Sequence, residues 1–115
     1  MLTSEVLRRA KEIIGAPEVW WNDPNPKARR PEGKYCVVLA MDYAAHSRKE
    51  ADDALAAFRD VAGTSGVVAW NGKRGRTHGD VMLAFAKVIE IAEAREEAEN
   101  APAERVESPA MEEVK

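Results

Sequence analysis

The chain is poor in residues that build chemistry on their own. It has one cysteine among 115 residues, so an intramolecular disulfide and a cysteine-built zinc cage are both excluded. Two histidines rule out a three-histidine metal site. No apolar run approaches the roughly 18 residues a membrane-spanning helix needs. The N-terminus has no apolar segment followed by a cleavage site, which predicts an unprocessed, cytoplasmic protein. There is no glycine-x4-Gly-Lys-Ser/Thr run, so a P-loop is excluded. Aromatic residues are few, three Trp, two Tyr and two Phe, and the last of them is Phe85.

What remains describes one globular domain. The length allows no more than one, and 45% hydrophobic with 32% charged residues fits a soluble fold. The charge is unevenly spread. Residues 1–89 carry fourteen Lys/Arg and eleven Asp/Glu, a balance of +3, whereas residues 90–115 carry three Lys/Arg and nine Glu, a balance of -6. This divides the chain into a helical domain over 1–97 and an acidic tail over 98–115. The tail has too little to bury to offset its ordering entropy.

Four helices are predicted. The first runs from Ser4 to Ile14 with Val6, Leu7, Ala10, Ile13 and Ile14 on one stripe; Thr3 or Ser4 caps it, and Gly15 and Pro17 end it. The second, Tyr35 to Ala45, is apolar nearly all round, which predicts a buried central helix. The third opens on Ser47 with Glu50 three residues on, a capping box. It buries Ala51, Ala54, Leu55, Phe58 and Ala62 and stops at Gly63. The fourth opens on Thr77 and Asp80, carries Val81, Phe85, Val88, Ile89 and Ala92 on its stripe, and reaches about Glu97. The fold class is all-α, four helices packed around the second. A long loop spans 16–34, with Trp20 and Trp21 as its pins, and a short apolar run over 67–70 would lie extended. Residues 17–21 and 67–70 would then pair as a tiny two-stranded ribbon.

The residue order resembles a known family. A first amphipathic helix is followed by Trp20 or Trp21, a polar loop, and Cys36 with two apolar residues and then a small one at Ala40. Next come the third helix, Val68-Ala69-Trp70-Asn71, a Gly/basic loop, Arg76-Thr77, and Val81 in the last helix. This is similar to a small domain of unknown function found in actinobacteria and their phages, over about residues 4–95. Two positions depart from the family pattern: Leu39-Ala40 stands where the family favours Gly-Ala, and Gly72 where it favours Asp. The second departure removes a loop carboxylate. The resemblance implies a helical fold and an actinobacterial or phage source, and no activity.

Candidate binding residues fall in two basic loops. Asn71 to His78 reads NGKRGRTH and holds Lys73, Arg74 and Arg76 at the start of a helix, where free amides and the helix end favour an anion; turn and cap chemistry also explains these residue types. Lys27, Arg29, Arg30 and Lys34 form the other cluster, offset by Glu32, with Trp20 and Trp21 nearby. Such a pairing of ring and charge suits single-stranded nucleic acid. Trp21 and Trp70 are expected to bury against Cys36, Leu39 and Phe85. Cys36 reads as a small buried hydrophobe; a Cys36–His78 dyad is the catalytic alternative. His46 reads as a residue at a helix C-terminus, paired on the surface with Asp42. No cofactor or metal is expected.

Three functions follow, in order. The first is a non-enzymatic interaction protein, monomer or homodimer with the fourth helix as its contact face. As a phage product it would occlude a macromolecule in the host cytoplasm through Trp20, Arg29, Arg30, Lys73, Arg74 and Arg76. The second is nucleic-acid or nucleotide-phosphate binding through loops 27–34 and 71–78. The third is a small enzyme using Cys36 or His78.

Overall fold

A computed structural model describes residues 1–23 and 29–100. It holds α1 (Thr3–Ile13), a 3-10 turn (Pro17–Val19), α2 (Val37–Ala44), α3 (Arg48–Ala62), α4 (Val67–Asn71) and α5 (His78–Asn100). The all-α expectation is met, with one short helix more than predicted.

The stripe on α1 is buried as its spacing predicts: Val6, Leu7, Ala10 and Ile14 are sealed from solvent. Its start is built differently. Thr3 and Ser4 lie inside the helix, and a carboxylate from α5 closes it. The Ser4 amide donates to Glu96 Oε2 at 3.0 Å, and the Ser4 hydroxyl to Oε1 at 2.6 Å. Glu5 accepts the Leu2 amide at 2.8 Å. The part of the cap supplied from 92 residues away leaves no local pattern to read.

Cys36 precedes α2 rather than lying within it. Its Sγ accepts the Leu39 amide at 3.5 Å, a weak cap. The helix buries Val37, Ala40, Met41 and Ala44 and leaves Tyr43 exposed, so it covers one side of the core and is not enclosed. With only eight residues it packs on α1, α3 and α4, whereas α1 touches α2, α3 and α5.

The α3 box forms with its return bond shifted by one residue: Ser47 Oγ accepts the Glu50 amide at 3.2 Å, while Glu50 Oε1 accepts the His46 amide at 2.8 Å. Gly63, at φ +70°, ends the helix in a conformation that favours glycine. At α5 the box is reciprocal. Thr77 Oγ1 accepts the Asp80 amide and Asp80 Oδ2 accepts the Thr77 amide, both at 3.0 Å.

The expected ribbon does not form. Residues 67–70 coil into α4, where the Trp70 amide donates to the Gly66 carbonyl at 2.9 Å. The 17–21 segment meets Tyr35 instead, in a single parallel bridge from Trp20. The Tyr35 amide donates to Val19 O at 2.8 Å, and the Trp21 amide to Tyr35 O at 3.0 Å.

Helices α1 and α5 run antiparallel: His78 meets Ile14 at one end, Arg8 pairs with Glu93 further along, and Ser4 meets Glu96 at the other. Phe58 anchors α3 at the centre, edge-on to Phe85 at 5.1 Å and to Trp70 at 5.2 Å. Trp70 packs through Phe58, half-buried against the core. Helix α5 runs three residues past the expected Glu97. The tail from residue 101 onward lies outside the described residues.

Candidate functional site

One buried amide joins the two loops in which candidate residues were read. Asn71 ends α4 and is 3% exposed. Its Oδ1 accepts the Trp20 indole Nε1–H at 2.8 Å and the Val37 amide at 3.1 Å, and its Nδ2 donates to Trp21 O at 2.9 Å. The side chain thus ties the 16–34 loop, the start of α2 and the 71–78 loop to one point. A buried polar group must be satisfied in this way or it destabilises the fold. The sequence marks Asn71 as a turn residue and as part of the Trp70-Asn71 pair, without revealing its hydrogen-bond partners. The Trp-Asn pair that ends an apolar run was the available signal.

Trp20 is correspondingly buried, 9% exposed, and its ring lies 6.0 Å from that of His78. It is a structural pin whose one donor is spent on Asn71, and it also borders the cleft that the loops enclose. His78 Nε2–H donates to Ile14 O at 2.7 Å, which fastens the start of α5 to the end of α1. Among the described residues no hydrogen bond joins Cys36 to His78. His46 lies just past the end of α2, and Asp42 pairs with Arg48 at 2.7 Å.

The loops held by Asn71 enclose an open cleft of about 410 Å³. Trp21, Asp23, Lys34, Lys73 and Arg74 line it, with Gly72 and Gly75 in its wall. Trp21, expected to be buried, is half-buried here. Gly75 has φ +87°, a turn that a side chain would strain. Lys73 and Arg74 are exposed, and Lys34 is half-buried. The cleft therefore combines cationic groups, the Asp23 carboxylate and an aromatic ring beside a buried hydrogen-bond hub.

The six residues read as anchors divide sharply. Arg29, Lys73 and Arg74 are exposed. Arg76 is tied down: its guanidinium lies 4.0 Å from the Trp70 ring centre, and its Nε donates to Trp70 O at 3.0 Å. Arg30 stacks over Tyr35 at 5.5 Å and donates to Lys34 O at 2.6 Å. Trp20 is the buried pin. Lys27, the remaining member of the loop cluster, lies outside the described residues. The start of α5 is not an open anion site, since Asp80 already places a carboxylate on it. The exposed cations of this segment, Lys73 and Arg74, stand in the loop before it.

Two further structural facts bear on chemistry. Among the described residues no cluster of three or more His, Cys, Asp or Glu is placed to hold a metal ion, and no helix is long and apolar enough to cross a membrane.

No curated protein and no solved structure matches the chain. The model of a family of unknown function, DUF6197, matches residues 1–91, which takes in α1 through α4, the cleft and the first half of α5. The chain belongs to that family.

Proposed function

We propose that the chain is a non-enzymatic binding module that docks an acidic segment of a partner protein in the cleft between Trp21, Lys34 and the 72–75 loop. The observation that carries this reading is the convergence of Lys34, Lys73 and Arg74 beside a half-buried tryptophan, in a chain whose net charge is -3. Cations on a rim steer an acidic partner, and an aromatic at the centre supplies an anchor. Trp21 takes the anchoring role first assigned to Trp20. Occlusion of the partner's surface is the mode of action. The resemblance to actinobacterial and phage domains directs the search to host macromolecules in an actinobacterial cytoplasm.

The test is an affinity capture from actinobacterial lysate, with and without nuclease, using wild type and Lys73→Glu/Arg74→Glu. A stoichiometric protein band that survives nuclease and disappears with the variant supports the reading. Retention of that band by the variant refutes the cleft as the site.

A second reading rests on the same ring-and-cation arrangement: a nucleic-acid strand, its base on Trp21 and its phosphates on Lys34, Lys73 and Arg74. It predicts a steep fall of affinity with salt, because phosphate contacts release counterions. Recovery of nuclease-sensitive material would favour it over the first.

A further inference from the structure

A groove on the other side of the helical body has a different character. It lies between α3 and the C-terminal half of α5 and encloses about 280 Å³. Val88 and Ala92 form its buried floor, Ala57, Val61 and Ile91 its half-open walls, and Thr3 closes one end. The groove has a sequence cause. Phe58 and Phe85 meet edge to face and set the separation of α3 and α5. Further along, Ala56, Ala57 and Ala92 are too short to fill the gap that separation leaves, since helix spacing follows the side chains at the contact. Ile91 remains 38% exposed.

The rim carries charge of one sign in excess. Asp53 and Asp60 stand on α3, Glu96 and Glu99 on α5, with Arg95 opposing them. Asp53 is paired with Lys49 and Glu96 is spent on Ser4. Asp60 and Glu99 enter no ion pair among the described residues.

We propose that this groove is a second binding surface and that its occupant is a basic amphipathic helix of a partner protein. An apolar trough between two antiparallel helices accepts side chains spaced i, i+3/i+4, i+7. Lys or Arg flanking that stripe would meet Asp60 and Glu99. The proposal goes beyond the reading of the cleft. His78, at the cleft end of α5, and Glu96, at the groove, are separated by 18 residues of helix, or about 27 Å. The two surfaces share no lining residue.

The test uses the full chain and a fluorescent model peptide of about five helical turns, Leu on one stripe and Lys elsewhere, with a scrambled peptide of the same composition as control. Fluorescence anisotropy at physiological salt is expected to show binding at least about tenfold tighter for the striped peptide. Ile91→Lys and Asp60→Lys/Glu99→Lys, each confirmed helical by circular dichroism, are expected to lose that advantage. Lys73→Glu/Arg74→Glu is expected to keep it. Amide shifts in NMR should cluster at residues 56–61 and 88–99. Equal binding of the scrambled peptide would show charge attraction alone and overturn the proposal, as would undiminished binding by the groove variants. Light scattering that shows a dimer lost in Ile91→Lys would also overturn it, by giving the groove to a second copy.

Discussion

At the His78 end of α5 the charged groups stand on loops; at the Glu96 end they stand on helices. Arg29, Arg30, Lys34, Lys73, Arg74 and Arg76 belong to segments with no helical ladder of their own. Ordering such segments costs backbone entropy of about 1–2 kcal/mol per residue. The fold offsets it with the Asn71 hub, the burial of Trp20 and the bridge to Tyr35. Asp53, Asp60, Glu96 and Glu99 sit on helices whose backbone is already paired. One end therefore depends on a single buried amide, and the other degrades by small steps. The contrast shows that an extended loop in a small domain needs its own polar core, while a helical surface inherits its order.

The sharpest way to break this comparison is Asn71→Ala. It orphans the Trp20 indole donor and the Val37 amide, each worth about 1–3 kcal/mol, and should lower unfolding free energy by about 2–4 kcal/mol. Chemical denaturation measures it, and a loss below about 0.5 kcal/mol would remove Asn71 from its assigned role. At the other end, Glu96→Ala strips the Ser4 amide and hydroxyl of their acceptor. A loss of about 1–2 kcal/mol is expected, with fraying at α1 seen as faster amide exchange over residues 4–6.

Lys73→Glu/Arg74→Glu should separate binding from folding. Both residues are exposed, so stability should stay within about 0.5 kcal/mol of wild type, while partner affinity falls at least about tenfold, or about 1.4 kcal/mol. A binding loss matched by an equal loss of stability would mean that these side chains hold the loop.

The smallest effect is a pH dependence at the acidic end. The Met1 ammonium donates to Glu50 Oε2 at 2.6 Å. That bond, then the His46 amide, holds the Glu50 carboxyl below its ordinary 4.5, and Glu50 in turn raises the Met1 amine above its ordinary 8.0. A depressed carboxyl gives stability above its unfolded value and loses it as pH falls; a raised amine gives stability below its unfolded value and loses it as pH rises. The melting-temperature gap between wild type and Glu50→Gln should therefore be widest between pH 4.5 and 8.0 and close on both sides. A gap independent of pH would assign the Glu50 contribution to helix capping alone.

The helices were legible because their signals are local. The Ser47/Glu50 and Thr77/Asp80 pairs and the stripe on α1 lie within a few residues of what they control. The first cap was not legible, since Glu96 reaches Ser4 across the fold. Residues 67–70 read as a strand because a short apolar run has no period of its own to declare. The candidate site was legible as two basic loops but not as one cleft. Composition names Lys34, Lys73 and Arg74 without saying that Asn71 draws their segments together. It also could not tell Trp20 from Trp21: adjacent indoles have the same composition, and only the hydrogen bond to Asn71 decides which one goes inside.

Among the described residues the cation-bearing loops stand toward the His78 end of α5 and the carboxylate-bearing groove toward its Glu96 end, so charge is unevenly placed along the helix. The chain's net charge of -3 then misdescribes how it meets a surface. Near neutral pH and at low salt it should be retained by cation-exchange and anion-exchange resins alike, turning a different end to each. In the cell the same asymmetry would orient it before contact, loops foremost toward any polyanion, within the roughly 8 Å over which salt leaves a field unscreened.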